Sequence, residues 1–243
     1  MASNCGLQGT EDRLWTLYHL GLLFVNEGKL DSARFIFNGV LEENPYYAYA
    51  FCGLGDIEAA KGNYSKALDL YVKASKIIPD HIFLEKIADL YRIMNLPEIE
   101  RKFVKQVLDA FIQHEKDGYN VDLEYTRFCL NHEVNSPEII IRAEREYRRR
   151  KGNIDAGQTY AQVLLKYGKY NEAAKIIEES MRLGTKRASL HYTAAAIYLS
   201  LHDIDNTKNY IQLAFNDNPY IDLLSLNDAK MIYSSVQNIT SVN

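Results

Sequence analysis

The chain has 243 residues, of which 47% are apolar and 25% charged, with a net charge of −4 and a pI near 5.9. That balance suits one soluble globular chain and supplies no positive field to draw it to nucleic acid or an anionic membrane. Three cysteines without a C-x-x-C pair exclude a disulfide framework and a cysteine zinc site, and no apolar run is long enough to span a bilayer.

Residues 1–11 lack apolar periodicity and read as a tail containing Cys5. With only Met1 to Asn4 ahead of Cys5 there is no export leader as written, so a cytoplasmic location is expected. A leader removed before Cys5 would instead make the protein periplasmic or lipid-anchored. After the tail, Leu17, Leu20, Gly21, Phe24, Gly28, Ala33, Phe37 and Pro45 recur 34 residues later as Phe51, Leu54, Gly55, Glu58, Gly62, Ala67, Tyr71 and Pro79. The apolar spacing predicts antiparallel helix pairs at about 13 to 44 and 47 to 78. The pattern then blurs. Leu84, Ile87, Ala88 and Tyr91 open one degenerate hairpin, and Tyr125, Phe128, Cys129 and His132 open another. The interval from Ile82 to Ile154 exceeds two repeats by four residues, which are expected in loops near Leu96-Pro97 and between Gln113 and Asn120. Regular copies return with Tyr160, Ala161, Leu164, Gly168, Tyr170, Ala173 and Ile177, then Ala194, Ala195, Tyr198, Ala214 and Pro219, predicting pairs at 154 to 184 and 188 to 217. Ser225, Asp228, Ala229, Ile232 and Val236 mark a capped closing helix.

This spacing resembles the tetratricopeptide-repeat family. The resemblance implies an all-α, right-handed superhelical solenoid of about six helix-turn-helix hairpins plus a C-terminal capping helix. It places the tail at 1–11 and a single domain at 12–243. The repeats fall at 14–47, 48–81, 82–120, 121–153, 154–187 and 188–221, with the closing helix at 225–237. The stretches Tyr160–Tyr170 and Asn218–Leu224 look like the closing repeats of bacterial members. In such solenoids the first helix of each hairpin lines a concave groove that holds a peptide or protein segment. Residues sharing that face include Trp15, Tyr18 and Leu22, then Tyr49 and Asp56, then Glu85 and Asp89, then Gln158 and Gln162, and finally Tyr192. The heat-shock carboxylate clamp found in some members is not expected. Its positions correspond to Tyr18, Leu22, Gly53, Ile82 and Lys86, only Lys86 is cationic, and Asp56, Glu85 and Asp89 would repel an acidic tail.

Six scattered histidines form no metal or catalytic motif, and neither Gly53-Leu54-Gly55 nor Gly184-Thr185-Lys186 completes a nucleotide-binding signature. No cofactor, metal or catalytic residue is therefore assigned. The basic run holding Arg142, Arg145 and Arg149 is a solvated helix face on the simplest reading, and a secondary docking patch on the other. The sequence supports a non-enzymatic interaction scaffold. A peptide-sensing regulator and a self-associating scaffold are the alternatives.

Overall fold

The computed structural model describes residues 9–240, and side chains as far as Gln237; Cys5 lies outside the described residues. Among these residues are thirteen α-helices and no strand. Two compact units are distinguished, Met1–Val107 and Leu108–Asn243. Their boundary falls inside the longest helix, α6 (Pro97–Lys116).

Unit 1 contains α1 (Glu11–Asn26), α2 (Leu30–Glu43), α3 (Ala48–Ala60), α4 (Tyr64–Ile77), α5 (His81–Ile93) and the start of α6. Each second helix also packs on the next first helix, α2 on α3 and α4 on α5. The core shows why small residues recur at the repeat step. The Phe37 ring of α2 is fully buried between Gly21 of α1 and Gly53 of α3, and a Cβ on either glycine would fall less than 3.0 Å from ring carbons. Gly55 meets the buried ring of Tyr71 in the same way one hairpin later.

Unit 2 contains the rest of α6, then α7 (Asp122–Asn131), α8 (Glu138–Arg149), α9 (Ile154–Lys166), α10 (Tyr170–Met181), α11 (Ala188–Ser200), α12 (Ile204–Asp217) and α13 (Leu226–Thr240). Ala161, Leu164, Ile177, Leu190 and Ala194 share one core, and Ala195, Ile211 and Ala214 share another with Ala229, Ile232 and Val236 of α13. The outward side of α13 carries Asn227, Asp228, Lys230 and Ser234. It thus covers the last hairpin with an exterior that is polar apart from the exposed Met231, as suits a terminal repeat.

One backbone device ends every first helix. The N–H groups of Lys29, Asn63, Leu96, Val134, Lys169 and Asp203 return to the carbonyls five residues earlier at 2.8–3.0 Å. In each case the preceding residue is left-handed. Glycine supplies it at Gly28, Gly62 and Gly168, whereas Asn95, Glu133 and His202 adopt it without glycine's freedom, at φ of 55°, 53° and 59°. The hairpin turn therefore persists where its sequence mark is lost. The extra length falls in the expected stretch from Gln113 to Asn120, but largely as helix and with none at Leu96-Pro97. Pro97 opens α6, where its missing N–H has no helical partner to lose, and the helix then runs unbroken through Gln113 to Lys116. A longer second helix absorbs most of the insertion, and only 117–121 remain as loop.

Candidate functional site

In unit 1 the first helices bring aromatic side chains into one row. Trp15 is 55% exposed and its ring centroid lies 3.9 Å from that of His19. Tyr18 follows at 5.1 Å from His19, Tyr49 of α3 at 5.5 Å from Tyr18, and Phe83 of α5 at 5.3 Å from Tyr49. Tyr47, just ahead of α3, closes a three-ring group, 6.5 Å from Tyr18 and 6.0 Å from Tyr49. Leu22 is half-buried one turn further along α1.

Carboxylates stand behind these rings. The Tyr49 hydroxyl donates to Asp80 at 2.7 Å, the Tyr47 hydroxyl to Glu11 at 3.3 Å, and the Tyr71 hydroxyl to Asp56 at 2.8 Å. Burial and the bond to Asp80 push the Tyr49 phenol up to about 12, and burial, then Glu11, raises Tyr47 as well. Asp80 is the N-cap of α5, accepting from the Ile82 N–H at 3.0 Å, with His81 Nδ1 at 3.2 Å. The His81 bond, with Ile82 and Tyr49 adding to it against burial, holds its carboxyl down to about 2. His81 Nε2 also reaches Glu85 at 3.5 Å. Lys86 Nζ lies 2.9 Å from Asp56, so the one lysine able to serve a carboxylate clamp is already paired. Against burial, which lowers it, the Lys86 ammonium is raised by Asp56 first, then by Cys52 and Asp89. Cys52 is buried beside this group, and burial pushes its thiol well up, so it stays protonated.

Unit 2 places its candidate residues differently. Gln158 is buried, and its amide donates to Thr193 Oγ1 at 3.3 Å, while Gln162 donates to the same oxygen at 3.2 Å. Both amides thus tie α9 to α11. Tyr192 is half-buried against the core that holds Ala195 and Ile211.

The basic run of α8 is held by acids. Arg145 grips the buried Asp122 through two bonds of 2.6 Å. Arg142 bonds Glu115, Asp122 at 3.2 Å and Glu138 at 3.0 Å, and lies over the Tyr125 ring at 4.3 Å. Arg149 and Arg150 meet the buried Glu146, which also accepts from Asn120 at 3.0 Å. Glu115, Asp122 and Glu138 absorb the charge that makes this stretch look basic in the sequence. No group of three or more histidine, cysteine or acidic side chains that could hold a metal ion occurs among the described residues. No described helix is long and apolar enough to cross a membrane.

Tyr47, Asp80, Glu11 and Lys86 belong to the unit 1 arrangement without having been picked out as site residues by the first-helix spacing. Tyr47 and Asp80 lie just before α3 and α5, so counting along the helices passes over them. The Pro79-Asp80 pair, with an N-capping residue after a turn proline, was the available signal for Asp80.

A family model described as Tetratricopeptide repeat matches residues 48–81. A comparison with curated proteins gives no match. Among solved structures, the APC/C hetero-tetramer Cut9-Hcn1 matches at 14% identity with a TM-score of 0.55, covering 92% of this chain and 42% of that one. The chain therefore spans less than half the length of that relative. A tetratricopeptide repeat protein from Parabacteroides merdae matches at 16% identity and TM-score 0.48, covering 93% and 92% of the two chains. Pseudomonas aeruginosa pilF matches at 15% and 0.46, covering 93% and 96%. Residues 48–81 thus match a tetratricopeptide repeat, and the 34-residue step, the helical hairpins ended by one shared turn and the likeness to Cut9-Hcn1 give the described residues the all-α helical-repeat fold of tetratricopeptide proteins.

Proposed function

We propose that the protein is a non-enzymatic scaffold that holds a peptide or protein segment on the first-helix face of unit 1. Tetratricopeptide proteins bind protein or peptide partners, and the family consists typically of scaffolds without enzymatic activity. The observation carrying the reading is the run of ring contacts from Trp15 through Tyr18 and Tyr49 to Phe83, which begins buried in α5 and ends at an exposed tryptophan. A large aromatic on a pre-ordered support is the side chain most often found at the centre of an interface, because little conformational entropy is lost when it is covered. In this reading Trp15, Tyr18, Leu22 and Tyr49 form the apolar anchor. Asp56, Glu85 and Asp89 provide polar contacts, and Gln162 and Tyr192 serve the first-helix face of unit 2 while Gln158 supports Thr193. The division into six repeats and a closing helix belongs to the same proposal.

The test is affinity capture from the native cell, identification of the partner by mass spectrometry, and titration of purified variants. Replacing Tyr18 and Tyr49 by alanine should weaken binding by at least about 1–2 kcal/mol. Trp15→Ala is the cleaner variant, since its ring is largely outside the core, and it should lose a similar amount with an unchanged melting temperature. Normal binding by these variants, together with loss in Arg149→Glu, would move the working surface to α8.

A further inference from the structure

We propose that the first-helix face of unit 1 receives a cationic side chain, an arginine or lysine of the bound segment, against the rings of Tyr18 and Tyr49. The inference rests on the reading of that face as the binding surface and adds the chemistry of its occupant. Three observations carry it. The first is the tyrosine group itself. Tyr18, Tyr47 and Tyr49 lie 5.5–6.5 Å apart with interplanar angles of 44°, 62° and 57°, so the rings are inclined to one another and none of the three pairs is stacked. Tyr47 is 5% exposed and forms the floor, while Tyr18 and Tyr49 are half-buried and Trp15 stands beside them. The face of an aromatic ring carries the negative part of its quadrupole and attracts a cation placed over it.

The second observation is that two of these phenols donate their protons to carboxylates, Tyr49 to Asp80 and Tyr47 to Glu11. A hydroxyl bonded to a carboxylate leaves the ring more electron-rich, which strengthens its hold on a cation. The third is the distribution of compensating charge. Asp56, further along α3, has Lys86 at 2.9 Å. Among the described residues no lysine or arginine pairs with Glu11 or Asp80, whose partners are Tyr47 for the one and Tyr49, the Ile82 N–H and His81 for the other. Lys86 lies within electrostatic reach of Tyr18 as well, where Asp56 offsets it, so the anionic end of the face is the Tyr47–Tyr49 side, beside Glu11 and Asp80. An acidic segment is disfavoured there and a neutral one gains only apolar contact. A guanidinium suits the place better than an ammonium, because its plane can lie on a ring while its edge donates to a carboxylate.

The experiment pans a random dodecapeptide phage library on the full chain. Selected sequences are then synthesised with acetylated and amidated ends, and binding is read by the fluorescence of Trp15, the only tryptophan in the chain. The inference expects selected peptides to carry net positive charge and to change the Trp15 emission. Their affinity should fall several-fold between low and high salt, and replacing their basic residue by glutamine should cost a similar factor. Glu11→Gln, an exposed position, should weaken the basic peptides at least about threefold and leave the thermal transition in place. Acidic or neutral peptides that bind and perturb Trp15, or basic ones indifferent to Glu11→Gln and to salt, overturn the cationic occupant while leaving the face as the binding surface. Peptides that bind without perturbing Trp15, or a library with no enrichment, overturn both.

Discussion

The Phe37 sandwich turns one substitution, glycine to alanine, into two opposite outcomes within a single core. At Gly39, inside α2, an added Cβ meets nothing within 4 Å. Gly39→Ala should therefore gain the ordinary helix-interior preference for alanine, about 1 kcal/mol. At Gly53, inside α3, the same methyl enters the space of the Phe37 ring, closer than 3.0 Å to its carbons. Side chains usually give way at such contacts, but this ring is fully buried and Gly21 of α1 approaches it just as tightly, which limits its room to withdraw. Overpacking of this kind costs about 1–3 kcal/mol, and a ring confined in this way belongs in the upper half of that range. After subtracting the propensity gain, Gly53→Ala should lose about 1–2 kcal/mol, leaving the two alanine variants about 2–3 kcal/mol apart. Urea unfolding followed by Trp15 fluorescence reads unit 1 directly, and the shift should appear in the midpoint with an unchanged slope. A second variant checks the cause. Adding Phe37→Leu to Gly53→Ala opens room for the methyl, so the double variant should be more stable than the sum of the single losses predicts. Gly53→Ala as stable as Gly39→Ala, or strict additivity with Phe37→Leu, would refute the claim that these glycines exist to admit the ring.

Other expectations follow from single residues. His202 holds a left-handed backbone at φ 59° and is exposed, so His202→Gly should stabilise unit 2 by about 1 kcal/mol in urea, against the usual penalty for glycine near a helix. Arg142, with its side chain 13% exposed and bonded to Glu115, Asp122 and Glu138, should cost about 2–3 kcal/mol on replacement by methionine. Arg148, exposed and bonded only to Glu144, should cost no more than about 0.5 kcal/mol in the same assay. Asp80 should stabilise the fold most where it is ionised. Its folded pKa, about 2, lies below its ordinary 3.8, so its contribution, about 2 kcal/mol, is complete above about pH 5 and is lost as pH falls through 2. Asp80→Asn keeps an N-capping side chain and should flatten the acid limb of stability between pH 4 and pH 2. In hydrogen exchange, the ten-residue α7, which buries a Thr126 hydroxyl without a partner, should open before α3 and α11, and slowest exchange in 122–131 would contradict this.

What could be read from the sequence divides along the range of the interaction. The periodicity that marks α1 to α4 and α9 to α12 is local, and so is the turn after each first helix when glycine supplies its left-handed residue. At Asn95, Glu133 and His202 the same turn is made without glycine; asparagine and histidine enter that conformation more readily than most side chains, whereas at Glu133 the packed helices on either side must impose it, and the copies around Asn95 and Glu133 look degenerate. The additional length in the middle could not be assigned to helix or loop for a similar reason. Proline and glycine signal where a helix is allowed to stop, but whether α6 stops at Gln113 or runs on to Lys116 depends on what it packs against. The functional side chains show the same division. Tyr18 and Tyr49 are visible from the repeat step, whereas the acids that give them their character are not. Glu11 lies 36 residues from Tyr47, and Asp80 lies 31 from Tyr49. The arginines of α8 are the converse case, conspicuous as a run yet answered by Asp122 and Glu115, which lie 20 to 27 residues earlier. Charge counted along the chain therefore points to α8 as the electrostatic surface. Charge counted in space leaves α8 largely neutralised and puts Glu11 and Asp80, bonded to tyrosine hydroxyls and to no lysine or arginine, behind the rings of unit 1, which is why the partner's chemistry is better sought there.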